Sequence, residues 1–246
     1  MKVIIVDNYQ EMSAKAAKIF ASQITVKPNS LLGLATGSTP MGMYKELINM
    51  YAKKDLDFSE VVTFNLDEYY GLDESNEQSY HCFMNKNFFK YVNIKKNNIH
   101  MPNGKAKNMD NECERYDKEI MTYGGIDIQV LGIGVNGHIG FNEPGENFEA
   151  ATHVVKLQEE TIKSNSRFFN SIDEVPTMAI SMGMKTIMQS KKIILLASGK
   201  EKADIIAKTI NGKIMPEVPA SILKLHKDVT IILDREAASL LSAQDL

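Results

Sequence analysis

Six short apolar runs, separated by longer amphipathic stretches, set the limits on what this chain can fold into. They are Val3–Val6, Leu31–Ala35, Val61–Asn65, Ile126–Gly132, Lys192–Ala197 and Val229–Leu233. Several are apolar at successive positions rather than alternate ones, as expected of strands covered on both faces. Helical periodicities fill the spaces between them, at 8–22, 40–53, 78–90, 109–123, 157–170, 183–189 and 200–211. Strand followed by helix, repeated, predicts βαβ units. The expected fold is α/β: an open, mostly parallel twisted sheet with helices on both faces, Rossmann-like in plan. No internal repeat, low-complexity tract or Pro/Gly-rich linker interrupts the pattern, so a single domain spanning 1–246 is the simplest organisation.

Composition removes several classes of function. A net charge of −3 and a pI near 6.0 argue against nucleic acid as a partner. The Lys pairs at 53–54, 95–96 and 191–192 are dispersed, as on solvated faces. Cys82 and Cys113 are too few for a disulfide framework or a zinc site, and read as free thiols in a reducing compartment. The apolar start at Val3 is too short for a signal peptide or a membrane span, and no later run is longer than a strand requires. A soluble, cytoplasmic protein with no membrane partner is the expectation.

In open parallel sheets, ligands bind beyond the carboxyl ends of the strands. Three polar, glycine-bearing turns follow strand candidates here. In Gly33-Leu-Ala-Thr-Gly-Ser-Thr-Pro40, Gly37 permits a tight turn, Ser38 and Thr39 bring hydroxyls, and Pro40 suits a helix start. Such a start presents backbone N–H groups and a positive dipole end to an anion, although the same pattern also serves as a plain helix cap. The P-loop lysine is missing. In Thr63-Phe-Asn-Leu-Asp-Glu-Tyr-Tyr70, Asp67 and Glu68 end a strand, and adjacent side chains there point apart. Only one carboxylate should face a cleft, as a general base; capping or solvation is the alternative role. In Gly132-Ile-Gly-Val-Asn-Gly-His-Ile-Gly-Phe-Asn-Glu-Pro144, a G-x-G-x-x-G pattern is present, but no helix pattern starts at Gly137 and a dinucleotide reading fails on context. His138 and Glu143 in that turn suit proton transfer at neutral pH.

Together these turns resemble glucosamine-6-phosphate deaminases. The resemblance continues through Asn165-Ser-Arg-Phe-Phe169, Gly199-Lys-Glu-Lys202 and Val218-Pro-Ala-Ser-Ile-Leu223, and so covers nearly the whole chain. It implies conversion of glucosamine 6-phosphate and water to fructose 6-phosphate and ammonia, with no metal or organic cofactor. The substrate phosphate would be held by Gly37, Ser38, Thr39, Arg167 and Lys202. His138 would move a proton during ring opening, with Glu143 orienting it and Asn136 in the place of an Asp found in some relatives. Asp67 would remove the C2 proton, ionised at neutral pH if its pKa is ordinary, with Glu68 behind it. The segment at about 149–185, charge-rich and without a strand run over 149–174, resembles a mobile helical lid. Positions 146–156 lack the basic set with which hexameric members bind N-acetylglucosamine 6-phosphate, and the long C-terminal extension of those members is missing. A monomer or small homo-oligomer without that activation is therefore expected. A 6-phosphogluconolactonase shares the implied fold and a similar Gly-His turn. A non-catalytic sugar-phosphate sensor would need a helix-turn-helix and a basic face instead.

Overall fold

The computed structural model describes residues 1–166, 169 and 171–242. The six apolar runs become the strands β1 (Lys2–Val6), β2 (Leu31–Leu34), β3 (Val62–Asn65), β6 (Ile128–Leu131), β9 (Lys192–Ala197) and β10 (Val229–Asp234). Four strands outside those runs join them: β4 (Asp67–Tyr69), β5 (Ile99–His100), β7 (His153–Lys156) and β8 (Met178–Ser181). The helices are α1 (Tyr9–Val26), α2 (Met41–Ala52), α3 (Tyr80–Asn87), α4 (Met109–Thr122), α5 (Glu159–Asn165), α6 (Met184–Met188) and α7 (Ala203–Asn211).

Seven strands form one parallel sheet in the order β1-β10-β9-β6-β2-β3-β5. Every residue of β2, β3, β6 and β10 is buried, whereas the edge strands β1 and β5 are partly open. That gradient matches the mainly apolar composition of the central strands. Helix α1 begins where the Asn8 side chain accepts the Glu11 N–H, and turns Met12, Ala16, Ala17, Phe20 and Ile24 onto the core. The α/β expectation therefore holds.

The chain order reverses between β2 and β6. From β2 it runs outward to β3 and β5; from β6 it runs the other way to β9 and β10. At that reversal the register is only two pairs long, Leu32↔Ile128 and Gly33↔Gln129. The Gln129 side chain fills the place a Cβ on Gly33 would take, 1.9 Å from its Oε1. Beyond Gly33 and Gln129 the two strands part, and their following loops face each other across a gap, the topological switch point at which ligands of such sheets bind.

A second sheet differs from expectation. Strands β4, β8 and β7 form a small antiparallel sheet, so the stretch 149–185 holds two strands as well as α5 and the start of α6. The run His153–Lys156 has only two apolar residues, and its partners lie far away in sequence. A local pattern cannot display such pairing. Leu66 joins the two sheets: its N–H donates to Leu34 O of the main sheet (3.0 Å), and its carbonyl accepts from Met182 N beside the small one (2.7 Å). Asp67 is thus aimed by both.

Candidate active site

The turns after β2 and β6 and the strand β4 converge on a cleft with about 850 Å³ of empty space, open to solvent on one side. Gly37, Ser38, Thr39, Asp67, Asn136, His138 and Lys202 all line it. Glu143 stands behind the imidazole of His138. Arg167 lies outside the described residues.

One end of the cleft is built by the turn that enters α2. Gly37 adopts φ +89°, a left-handed value that a side chain would oppose, and the chain then enters the helix at Met41. The turn is braced from below: Tyr9 Oη donates to Ser38 O (2.9 Å) and accepts from Gly42 N (2.8 Å), and Tyr44 Oη donates to Ala35 O (2.6 Å). With no acidic residue in its first turn, α2 offers an uncompensated positive dipole end. Lys202, at the entrance to α7, adds a point charge from across the cleft.

The other end is built by the glycine-rich turn Gly132–Pro144. A Cβ on Gly134 would sit 2.4 Å from His138 Cε1, so the imidazole lies where only glycine leaves room. Gly134 N also donates to His138 O (2.9 Å), which closes the turn under the ring. His138 Nδ1 lies 3.3 Å from Glu143 Oε2. Burial pushes the Glu143 carboxyl up, but hydrogen bonds from His138, Thr161 and Asn136 outweigh it and hold the group below the ordinary value. Asn136 acts on this pair from the side: Nδ2 donates to Glu143 Oε2 (2.8 Å) and Oδ1 accepts the His138 backbone N–H (3.2 Å).

The two carboxylates of β4 separate as alternation requires. Asp67 faces the cleft, close to Gly140, where an added Cβ would stand 3.7 Å from its Oδ2. Glu68 points the other way and accepts from Tyr69 N (2.8 Å), Tyr80 N (2.9 Å), His81 N (3.0 Å) and His81 Nδ1 (2.8 Å). Its role is to fasten β4 to the start of α3. Burial, with the neighbouring charge of Glu68, pushes the Asp67 carboxyl up to about 8. The expectation of an ordinary carboxylate pKa is therefore corrected: burial beside Glu68 favours the protonated form of Asp67.

Three side chains near the site carry no motif that a sequence reading would single out. Tyr80 lines the cleft from α3, and Thr161 and Gln158 reach Glu143 and Asn136 from the start of α5. Only the fold brings these residues to the glycine-rich turn. Among the described residues, no group of three His, Cys, Asp or Glu side chains is arranged to hold a metal ion, and no helix is long and apolar enough to cross a membrane.

Comparison with known proteins gives this cleft its context. A family profile described as glucosamine-6-phosphate isomerases/6-phosphogluconolactonase matches residues 7–232. A glucosamine-6-phosphate deaminase of Clostridium acetobutylicum is 65% identical, with 98% of this chain and 100% of that protein covered. One from Clostridium botulinum is 62% identical over 98% of this chain and 99% of its own length. Among solved structures, a monomeric glucosamine-6-phosphate deaminase superposes with a TM-score of 0.96 at 50% identity, covering 98% of this chain and 100% of that one. A 6-phosphogluconolactonase from Trypanosoma cruzi, at 22% identity and a TM-score of 0.74 over 98% and 97% of the two chains, shares the fold. By the full-length match of sequence and fold, this chain belongs to the family of glucosamine-6-phosphate isomerases and 6-phosphogluconolactonases.

Proposed function

We propose that this protein converts glucosamine 6-phosphate and water to fructose 6-phosphate and ammonia. The observation that carries the reading is the meeting, in one cleft, of an anion-binding helix start, a His138–Glu143 pair and the buried carboxyl of Asp67. The full-length similarity to deaminases supports it.

The phosphate sits on the turn Gly37–Thr39 with Lys202 and, by the family pattern, Arg167. His138 donates Nδ1–H to Glu143, which leaves Nε2 free to act on substrate. It takes the proton of the anomeric hydroxyl and delivers one to the ring oxygen, opening the pyranose to the aldehyde. Asp67, once ionised, removes the C2 proton; the electron pair moves toward C1 while the C1 oxygen gains, through His138 Nε2, the proton given up by the substrate's ammonium group, leaving a neutral enolamine and a neutral imidazole. Asp67 returns its proton to C1, which leaves an imine at C2. Water adds there and ammonia departs, so the oxidation levels of C1 and C2 exchange without an external redox partner.

A monomer is the proposed state, in line with the monomeric structural relative. A cytoplasmic site of action fits the free thiols Cys82 and Cys113. The deciding measurement is ammonia release from glucosamine 6-phosphate, run beside hydrolysis of 6-phosphogluconolactone. Turnover of the amino sugar alone is expected; turnover of the lactone alone would overturn the proposal.

A further inference from the structure

We infer that Thr161 and Gln158 are positioning residues that set the protonation geometry of the His138–Glu143 pair. The part of the inference that concerns rate rests on the reaction proposed above. The part that concerns the imidazole does not.

Gln158 is the residue before α5 and Thr161 lies three positions on, so both project from one side of the helix start. The helix is held by apolar contacts of its own: Leu157 and Ile162 pack with Tyr69 and Phe141 under the cleft. From that anchored position Thr161, itself buried, donates its hydroxyl hydrogen to Glu143 Oε1 at 2.6 Å. Gln158 Oε1 accepts the second amide hydrogen of Asn136 (3.1 Å), while Gln158 Nε2 donates to Pro144 O (3.0 Å) and so clamps the residue after Glu143.

These bonds settle which oxygen of Glu143 meets the ring. The terminal torsion of a glutamate is broad, so an untethered carboxylate would swing between its two oxygens. Here Oε1 is occupied by Thr161 and Oε2 by Asn136, and Oε2 is the atom 3.3 Å from His138 Nδ1. Thr161 Oγ1 is also 3.5 Å from Nδ1, but its single hydrogen is spent on the nearer carboxylate. Nδ1 must then carry the hydrogen shared with Oε2, which leaves Nε2 as the basic nitrogen. Thr161 therefore selects the tautomer that can open the ring, and Gln158 holds the amide that completes the clamp.

The test compares Thr161→Val, which keeps the shape and removes the donor, with Thr161→Ser, which restores the donor. The expected result for Thr161→Val is a kcat for ammonia release lower by roughly tenfold to a hundredfold, as for other groups that orient a functional histidine, with KM changed less than about twofold. Thr161→Ser should recover most of the loss. In ¹⁵N spectra of His138 in the ligand-free protein, the wild type should show Nδ1 protonated and Nε2 bare, and Thr161→Val a tautomeric mixture. A Thr161→Val enzyme with kcat within about twofold of wild type and unchanged ring signals would overturn the inference. So would a Thr161→Ser enzyme no better than Thr161→Val, because the residue would then act through bulk alone. If the wild type releases no ammonia, the proposed reaction fails, and the ring signals still decide the tautomer.

Discussion

At the scale of single residues, the site turns on how burial changes groups whose identities are plain in the sequence. Asp67 has an unfolded-state pKa near 3.9 and a folded value pushed up to about 8 by burial and by Glu68. A base that must be ionised then requires kcat/KM to rise with pH and level off above about 8; a profile flat from pH 6 upward would remove Asp67 from that role. The same shift has a consequence for stability. Protonated Asp67 contributes fully below about pH 4, and the contribution is lost as pH rises through about 8. An amide imitates the protonated acid, so Asp67→Asn should melt above the wild type at pH 9 and level with it near pH 4, while losing exchange of the C2 hydrogen into deuterated solvent. Of the residues expected at the site, His138, Asn136, Asp67, the Gly37–Thr39 turn and Lys202 do share one cleft. They were legible because glycine density and strand-end carboxylates are local signals. The Asp67 pKa was not, since burial is a property of the whole surrounding structure. Thr161 and Gln158 were hidden for a related reason: nothing in their own neighbourhood of sequence points at Glu143.

At the scale of elements, six of the seven parallel strands were legible, whereas the two-residue edge strand β5 and the antiparallel strands were not. β2, β6, β9 and β10 announce themselves as mainly apolar runs, with neighbouring apolar positions rather than strict alternation, because both of their faces are covered. β4, β7 and β8 are three or four residues long and pair across separations that no window contains. The Asp-Glu-Tyr of β4 reads as the end of the previous strand. Its position depends on Glu68, which ties β4 to the first turn of α3 by accepting four hydrogen bonds while buried. In Glu68→Gln one side-chain atom becomes an amide nitrogen facing donors, and a loss of about 2–3 kcal/mol is expected, read as a lower melting temperature. Removing that negative neighbour should also move the acid limb of the rate profile to lower pH, since Glu68 helps to raise Asp67. A destabilised variant with an unmoved pH profile would separate the structural role from the electrostatic one.

At the scale of the whole molecule, the sheet is fastened at one end and open at the other. Asp127, buried at the amino ends of the strands, accepts from Leu31 N (2.8 Å), Lys27 Nζ (2.6 Å) and Lys191 Nζ (2.7 Å), joining the starts of β2, β6 and β9. Burial raises its carboxyl, and these donors more than reverse that, so the group sits below the ordinary range. Its contribution is present above the unfolded value near 3.9 and fades in acid. Asp127→Asn should lower the urea midpoint by an amount corresponding to about 2–3 kcal/mol at pH 7, less at pH 3, with ammonia release per folded molecule unchanged because the clasp lies at the far end from the cleft. The opposite end owes its opening to main-chain pairing that stops at Gly33 and Gln129. A mouth made by the backbone exists before any catalytic side chain is chosen. Descendants of one ancestral sheet could therefore exchange the residues on the two facing loops, and with them the reaction, without having to carve the active site anew.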